Sequence, residues 1–139
     1  MKIFKGLVAM IMISMSLFGL ASCQNGEADS KSDDKKLSYE QISAEEAKTI
    51  MDSESNYTII DARTEEEFAE GHIEGAILIP EYEIASRAEK ELPDKEALIL
   101  VYCRSGRRSK IASEELVKLG YENVKEFGGI IDWPYDVVK

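Results

Sequence analysis

The sequence predicts an α/β domain with a largely parallel sheet and helices on both faces. Three observations carry this. Short apolar, β-branched runs alternate with segments of helical period along the chain. The strand-like runs are apolar on both alternating faces, as in a sheet covered on both sides. Two of the helical segments open on capping boxes, and three close at glycine or proline.

The elements follow in order. Tyr39-Glu40-Gln41-Ile42 is a short strand candidate. Ser43 and Glu46 form a capping box, and Ala47, Ile50 and Met51 share a helix face, so a helix is expected from Ala44 to about Asp52. Tyr57-Thr-Ile-Ile-Asp61 reads as a buried strand ending in Asp61-Ala62-Arg63. Thr64 and Glu67 form a second capping box, opening a short helix that Gly71 breaks after Glu70. A turn-rich link through His72 leads to the apolar run Ala76–Ile79, stopped by Pro80. Ile84, Ala88 and Leu92 recur every four residues, which predicts a helix over about Glu81–Leu92, ended by Pro93. Leu98–Tyr102 is the third clear strand. Ala112, Leu116 and Leu119 then stripe a helix whose end carries Gly120. A last strand is expected over Asn123–Phe127, followed by Gly128-Gly129 and a turn or short helix carrying Trp133.

The first 36 residues do not belong to this pattern. Lys2 and Lys5 precede an almost wholly apolar stretch from Gly6 to Leu20, and small residues lead to Cys23. A basic start, an apolar middle and a small-residue site describe an export signal over residues 1–22. Leu20-Ala-Ser-Cys23 resembles the lipobox of bacterial lipoproteins, which implies a diacylglycerol on the Cys23 sulfur and an extracytoplasmic, membrane-anchored protein, facing the periplasm or the cell surface. An ordinary signal with a chance cysteine, or an uncleaved anchor, is the alternative. Residues 24–36 hold one apolar residue, Ala28, and no periodicity, so residues 23–36 are expected to be a lipidated tether and residues 37–139 the domain.

The formal net charge is −10, and −12 without Lys2 and Lys5, which argues against nucleic acid as a partner. One histidine and one free cysteine in the domain leave a metal site without ligands, and no phosphate-binding glycine motif occurs; no cofactor is expected.

Against this acidic background one loop is basic. Tyr102-Cys-Arg-Ser-Gly-Arg-Arg-Ser109 follows the strand Leu98–Val101 and opens a helix, with Arg104, Arg107, Arg108 and Lys110 in seven positions. A cysteine at a helix N-terminus among cations has a lowered pKa, and loop N–H groups that stabilise its thiolate also bind an anion. Gly106 permits the backbone such a tight ring needs. Cys103 is therefore the candidate nucleophile, with Arg104, Ser105, Gly106, Arg107 and Arg108 as its anion cradle and Ser109 closing the loop. Arg63 either reaches this site from its neighbouring strand end or forms a surface ion pair with Asp61 or the 65–67 glutamates. His72 is either a base for Cys103 or a structural residue bonding the backbone of its turn; the flanking glycine and the following strand favour the latter.

Three segments together resemble single-domain rhodaneses, the thiosulfate and persulfide sulfurtransferases: Ile59-Ile-Asp-Ala-Arg63, Gly71-His-Ile-Glu-Gly-Ala-Ile-Leu-Ile-Pro80, and the Cys103 loop, with Gly128-Gly129 and Trp133 also similar to the family's C-terminal end. The resemblance implies a central five-stranded parallel sheet, Cys103 as sulfur carrier, Arg63 fixing the substrate or the loop, and Asp61 in a supporting place. It implies thiosulfate or a persulfide as the anionic donor. With no second cysteine in the domain, the acceptor must be an external thiol, cyanide or a protein. A phosphatase or arsenate reductase would carry Cys-x5-Arg; here Arg108 gives Cys-x4-Arg, a smaller loop that goes with sulfur. A non-catalytic binding or sulfur-sensing module is the remaining alternative.

Overall fold

The computed structural model describes residues 38–139. The expected signal segment, the Cys23 lipidation site and the tether lie outside the described residues. Five strands form one parallel sheet: β1 (Glu40–Gln41), β2 (Tyr57–Asp61), β3 (Ala76–Leu78), β4 (Leu98–Cys103) and β5 (Val124–Gly129), in the order β1-β5-β4-β2-β3. The helices are α1 (Ala44–Ser53), α2 (Glu65–Glu70), α3 (Ile84–Glu91) and α4 (Arg107–Lys118).

Strand alternation divides the core into two layers. Ile60, Ile99, Val101, Cys103 and Val124 face one side, where they pack with Ile84, Ala88 and Leu92 around α3 and Ala112 and Leu116 of α4. Ile59, Leu100, Tyr102 and Phe127 face the other, against Ala47, Ile50 and Met51 of α1 and Trp133. Strands apolar on both faces therefore sit between two helical layers, as expected for a parallel sheet. Both capping boxes form: the Ser43 hydroxyl accepts from Glu46 N at 3.1 Å, and the Thr64 hydroxyl from Glu67 N at 3.3 Å.

Three details differ from the sequence pattern. The helix expected over Glu81–Leu92 starts as a 3-10 turn, Glu81–Glu83, and becomes α3 only at Ile84. Pro80, at φ −51° and ψ 143°, sets extended backbone immediately before that turn. The last strand runs on to Gly129, because Cys103 pairs with Gly129 after a register shift past Val101. The tail folds back, with His72 and Val138 exchanging both backbone hydrogen bonds at 2.8 Å. Among the described residues, no helix is long and apolar enough to cross a membrane.

Candidate active site

β4 is the middle strand, flanked by β5 and β2, and Cys103 is its last residue. In an open parallel sheet the carboxyl ends of the strands are where ligands bind. The chain then turns through Arg104 and Ser105 to Gly106, which stands at φ +101° as the N-cap of α4. Gly106 is the residue type that adopts this conformation freely. Unlike α1 and α2, α4 has no side-chain cap, so its first N–H groups keep their hydrogens for another acceptor.

That acceptor is the cysteine. Gly106 N donates to Cys103 Sγ at 3.0 Å, and Ser109 Oγ lies 3.4 Å from the same sulfur. Burial pushes the Cys103 thiol up, but the hydrogen bonds of the loop, those from the N–H groups of Ser109, Gly106 and Ser105 among them, outweigh it and hold the thiol below its ordinary value. The loop is thus a ring of backbone donors closing on one sulfur.

The basic residues divide. Arg108 is half-buried and forms a two-pronged pair with Glu67 of α2, at 2.7 and 2.8 Å. Its charge also acts on Cys103. Arg104, Arg107 and Lys110 are exposed at the start of α4 and form no ion pair among the described residues. Three unpaired cations thus surround a helix N-terminus, which favours an anion there.

Glu67 is held by its partner. Its hydrogen bond from Arg108 lowers its pKa from 4.5 to about 2, against the opposing effect of burial, with Thr64 N and Oγ helping. A carboxyl depressed in the folded state adds stability above its unfolded pKa and loses it as pH falls through the folded value. The stability advantage of the wild type over Glu67→Gln is therefore expected to be constant above about pH 5. It should shrink as pH falls from 4.5 toward about 2, read by thermal melts across that range.

Asp61 and Arg63 form a separate network. Arg63 donates through N, Nε and Nη2 to Asp61 at 2.7–3.0 Å, and through Nη2 to the Gly71 carbonyl at 2.7 Å. Tyr102 donates to Asp61 at 2.7 Å and accepts from Ile73 N at 3.1 Å. All of this is buried. Burial, then the Asp61 charge and hydrogen bond, raise Tyr102 well above an ordinary phenol. Burial opposes the Arg63 charge, but the Asp61 hydrogen bond and charge prevail and raise its pKa. Of the two expectations for Arg63, the ion pair with Asp61 forms, but buried rather than at the surface. It braces β2, β4 and the link at Gly71, with the guanidinium 5.7 Å over the Tyr102 ring. Tyr102 and Cys103 face opposite layers, so none of these contacts joins the ring around the sulfur.

His72 is also outside that ring. Its Nδ1 donates to the Phe68 carbonyl at 3.0 Å, and its ring stacks on Phe68 with centroids 3.7 Å apart. Among the described residues, no cluster of three or more His, Cys, Asp or Glu side chains is placed to hold a metal ion.

Three participants escaped the sequence reading. Glu67 was visible only as a capping residue. Tyr102 was visible only as the end of a strand. Glu126 left one signal: in Val124-Lys125-Glu126 it shares a strand face with buried Val124, an unusual place for a carboxylate.

The comparisons with known proteins agree with this geometry. Residues 43–134 match the family model of the rhodanese-like domain. Thiosulfate sulfurtransferase PspE of Escherichia coli is 40% identical over 80 residues, covering 58% of this chain and 77% of that protein. The putative sulfur carrier protein YrkF of Bacillus subtilis is 36% identical over 97 residues, covering 69% of this chain and about half (51%) of that longer protein. A solved structure, a rhodanese with anions from E. coli, superposes with a TM-score of 0.57 at 38% identity, covering 60% of this chain and 98% of that one. With the matched region running from the α1 cap to just past Trp133, and the Cys103 loop at its centre, the chain belongs to the rhodanese-like domain family.

Proposed function

We propose that the protein is a sulfurtransferase that carries sulfane sulfur on Cys103. The observation that carries this reading is the Gly106 N–H on Cys103 Sγ at 3.0 Å, at the uncapped start of α4. A sulfur held this way is available as a thiolate, and the same N–H groups suit the charge of an added outer sulfur. The Cys103 thiolate attacks the outer sulfur of thiosulfate, a new S–S bond forms, and sulfite leaves with the electrons of the old one. A persulfide donor reacts the same way and releases a thiolate. An external thiol or cyanide then attacks the outer sulfur, and Cys103 departs as thiolate. Cys103 is the one cysteine among the described residues, so the acceptor is another molecule.

Arg108 supports a backbone-lined anion site. Two of its five N–H donors, one on each terminal nitrogen, go to Glu67, and that carboxylate offsets the charge a phosphate would draw on. The exposed Arg104 and Arg107 attract the donor at the rim. Similarity to a protein named thiosulfate sulfurtransferase points the same way.

Mass spectrometry after thiosulfate treatment is the direct test. The expected result is one added sulfur atom on the Cys103 peptide, removed by cyanide. A Cys103 that stays reduced and unmodified, with no turnover, overturns the reading. We further propose that Leu20-Ala-Ser-Cys23 directs export and lipidation. Cys23→Ala should then move the protein from the membrane fraction to the soluble one; retention in the membrane would mean that another segment anchors it.

A further inference from the structure

We propose that Glu126 is a positioning residue for Cys103: acting through the Ser109 hydroxyl, it keeps that hydroxyl's hydrogen off the sulfur and so sets how readily the thiol ionises. This rests on the reading of Cys103 as nucleophile, but its geometry is independent of any sulfur donor.

Ser109 is fully buried, and four acceptors surround its oxygen. Glu126 Oε1 is at 2.6 Å, Gly106 O at 3.0 Å, Gly128 O at 3.3 Å and Cys103 Sγ at 3.4 Å. A hydroxyl has one hydrogen to give. The short contact to a carboxylate is the strongest claim on it. The Ser109 hydrogen therefore lies on Glu126, and Ser109 turns a lone pair toward Cys103. In that arrangement Ser109 accepts from the thiol and favours S–H; it does not donate to the thiolate. Only when the hydrogen is released from Glu126 can Ser109 add a second donor to the Gly106 N–H.

Glu126 is well built for this. It is 3% exposed, and Gly128 N donates to the same oxygen, Oε1, at 2.8 Å. Its position on β5 points it at α4, with Val124 beside it on the same face. The charges nearby are otherwise engaged: Lys125 pairs with Glu40, and Arg108 with Glu67, while Arg104, Arg107 and Lys110 are exposed. No cation among the described residues pairs with Glu126. A buried carboxylate without a cation is costly to keep, and its hydrogen bond to the residue that touches the nucleophile gives it a use.

The chemistry gains from such a restraint. A thiolate attacks more strongly the higher its pKa, yet leaves faster the lower its pKa. Cys103 must do both, first attacking the donor and then leaving the persulfide. Glu126 holds it between the two extremes.

The test is the pH dependence of Cys103 alkylation by iodoacetamide, which reads thiolate directly and needs no sulfur chemistry. In Glu126→Gln the Gly128 N–H keeps the amide oxygen toward Ser109, but that neutral oxygen is a weaker acceptor than a carboxylate, so its hold on the Ser109 hydrogen loosens and the hydroxyl can turn toward the sulfur. The alkylation midpoint should fall by about one pH unit, making alkylation below the midpoint about tenfold faster. Glu126→Asp keeps the charge but shortens the reach to Ser109, and its midpoint should fall part-way. In a Ser109→Ala background, the shift caused by Glu126→Gln should shrink by more than half. Three results would overturn the proposal. These are a Gln midpoint unchanged or raised, an Asp midpoint equal to wild type, or a full Gln shift in the Ser109→Ala background, which would mean that charge acts directly through space. If Gln fails to fold, the Asp variant alone still decides the question. If wild-type protein forms no persulfide, the sulfurtransferase reading fails while this alkylation series still decides the role of Glu126.

Discussion

Replacing Cys103 by serine is expected to remove thiosulfate turnover by on the order of 10³-fold or more, as loss of a covalent nucleophile does. The cause is the atom, not the fold. Serine keeps an acceptor for the Gly106 N–H that reaches Sγ at 3.0 Å, and it fits a site built for a slightly larger sulfur. Stability should therefore change by no more than about 1 kcal/mol. What serine cannot supply is an anion at neutral pH. A ring of N–H groups that lowers a thiol from its ordinary value of about 8.5 still leaves an alcohol far above neutrality. Nor can a hydroxyl take up and release sulfane sulfur through an S–S bond. Steady-state cyanolysis, with a thermal melt as control, checks both halves. A residual rate above a few per cent in a folded variant would move the chemistry away from Cys103.

The parts of this fold legible in the sequence are those set by neighbours in the chain. Ser43 with Glu46, and Thr64 with Glu67, mark two helix starts because each box closes within four residues. Leu98–Val101 announces a buried strand, and Cys103-Arg104-Ser105-Gly106 announces the turn after it. Strand order is different. β1 is two residues long and finds β5 across the sequence, Glu40 beside Lys125, and no local pattern specifies that. The site divides along the same line. The sulfur and its backbone donors lie within seven residues, so they could be read together. Arg108 meets Glu67, and Tyr102 meets Asp61, each across 41 positions. Hence the sequence showed four cations beside Cys103, where the fold neutralises one. It also offered Arg63 to the anion, where the fold engages three of its nitrogens with Asp61. Glu126 is the limiting case. Strand period alone sets it on the same face as Val124, but its meaning depends on Ser109, which arrives on another element.

Gly129→Ala should be the most damaging single-methyl change near the site, and the reason lies in the join between β4 and β5. The register of the two strands shifts between Val101 and Cys103, which sets Cys103 opposite Gly129. A methyl group on Gly129 would stand 2.0 Å from the Arg104 carbonyl oxygen, 2.4 Å from its carbon and 2.5 Å from Ser105 N. All three are backbone atoms, so no side chain can swing aside. The Arg104 carbonyl is itself tied to Ile131 N at 3.2 Å. Relief requires the loop to move, and the residues that move carry the N–H groups aimed at Sγ. A loss of about 3 kcal/mol or more is expected from such overpacking against fixed backbone. In whatever folded protein remains, the Cys103 alkylation midpoint should rise toward the free-thiol value of about 8.5. Gly120→Ala is the control. Gly120 also has positive φ, +93°, but nothing lies within 4 Å of its added carbon. It follows α4 at the end remote from the loop, so its substitution should cost only the left-handed strain of about 1–2 kcal/mol and leave alkylation and turnover unchanged. Equal loss of turnover in both variants would mean that general destabilisation, not the position of the Arg104–Ser105 backbone, controls the sulfur.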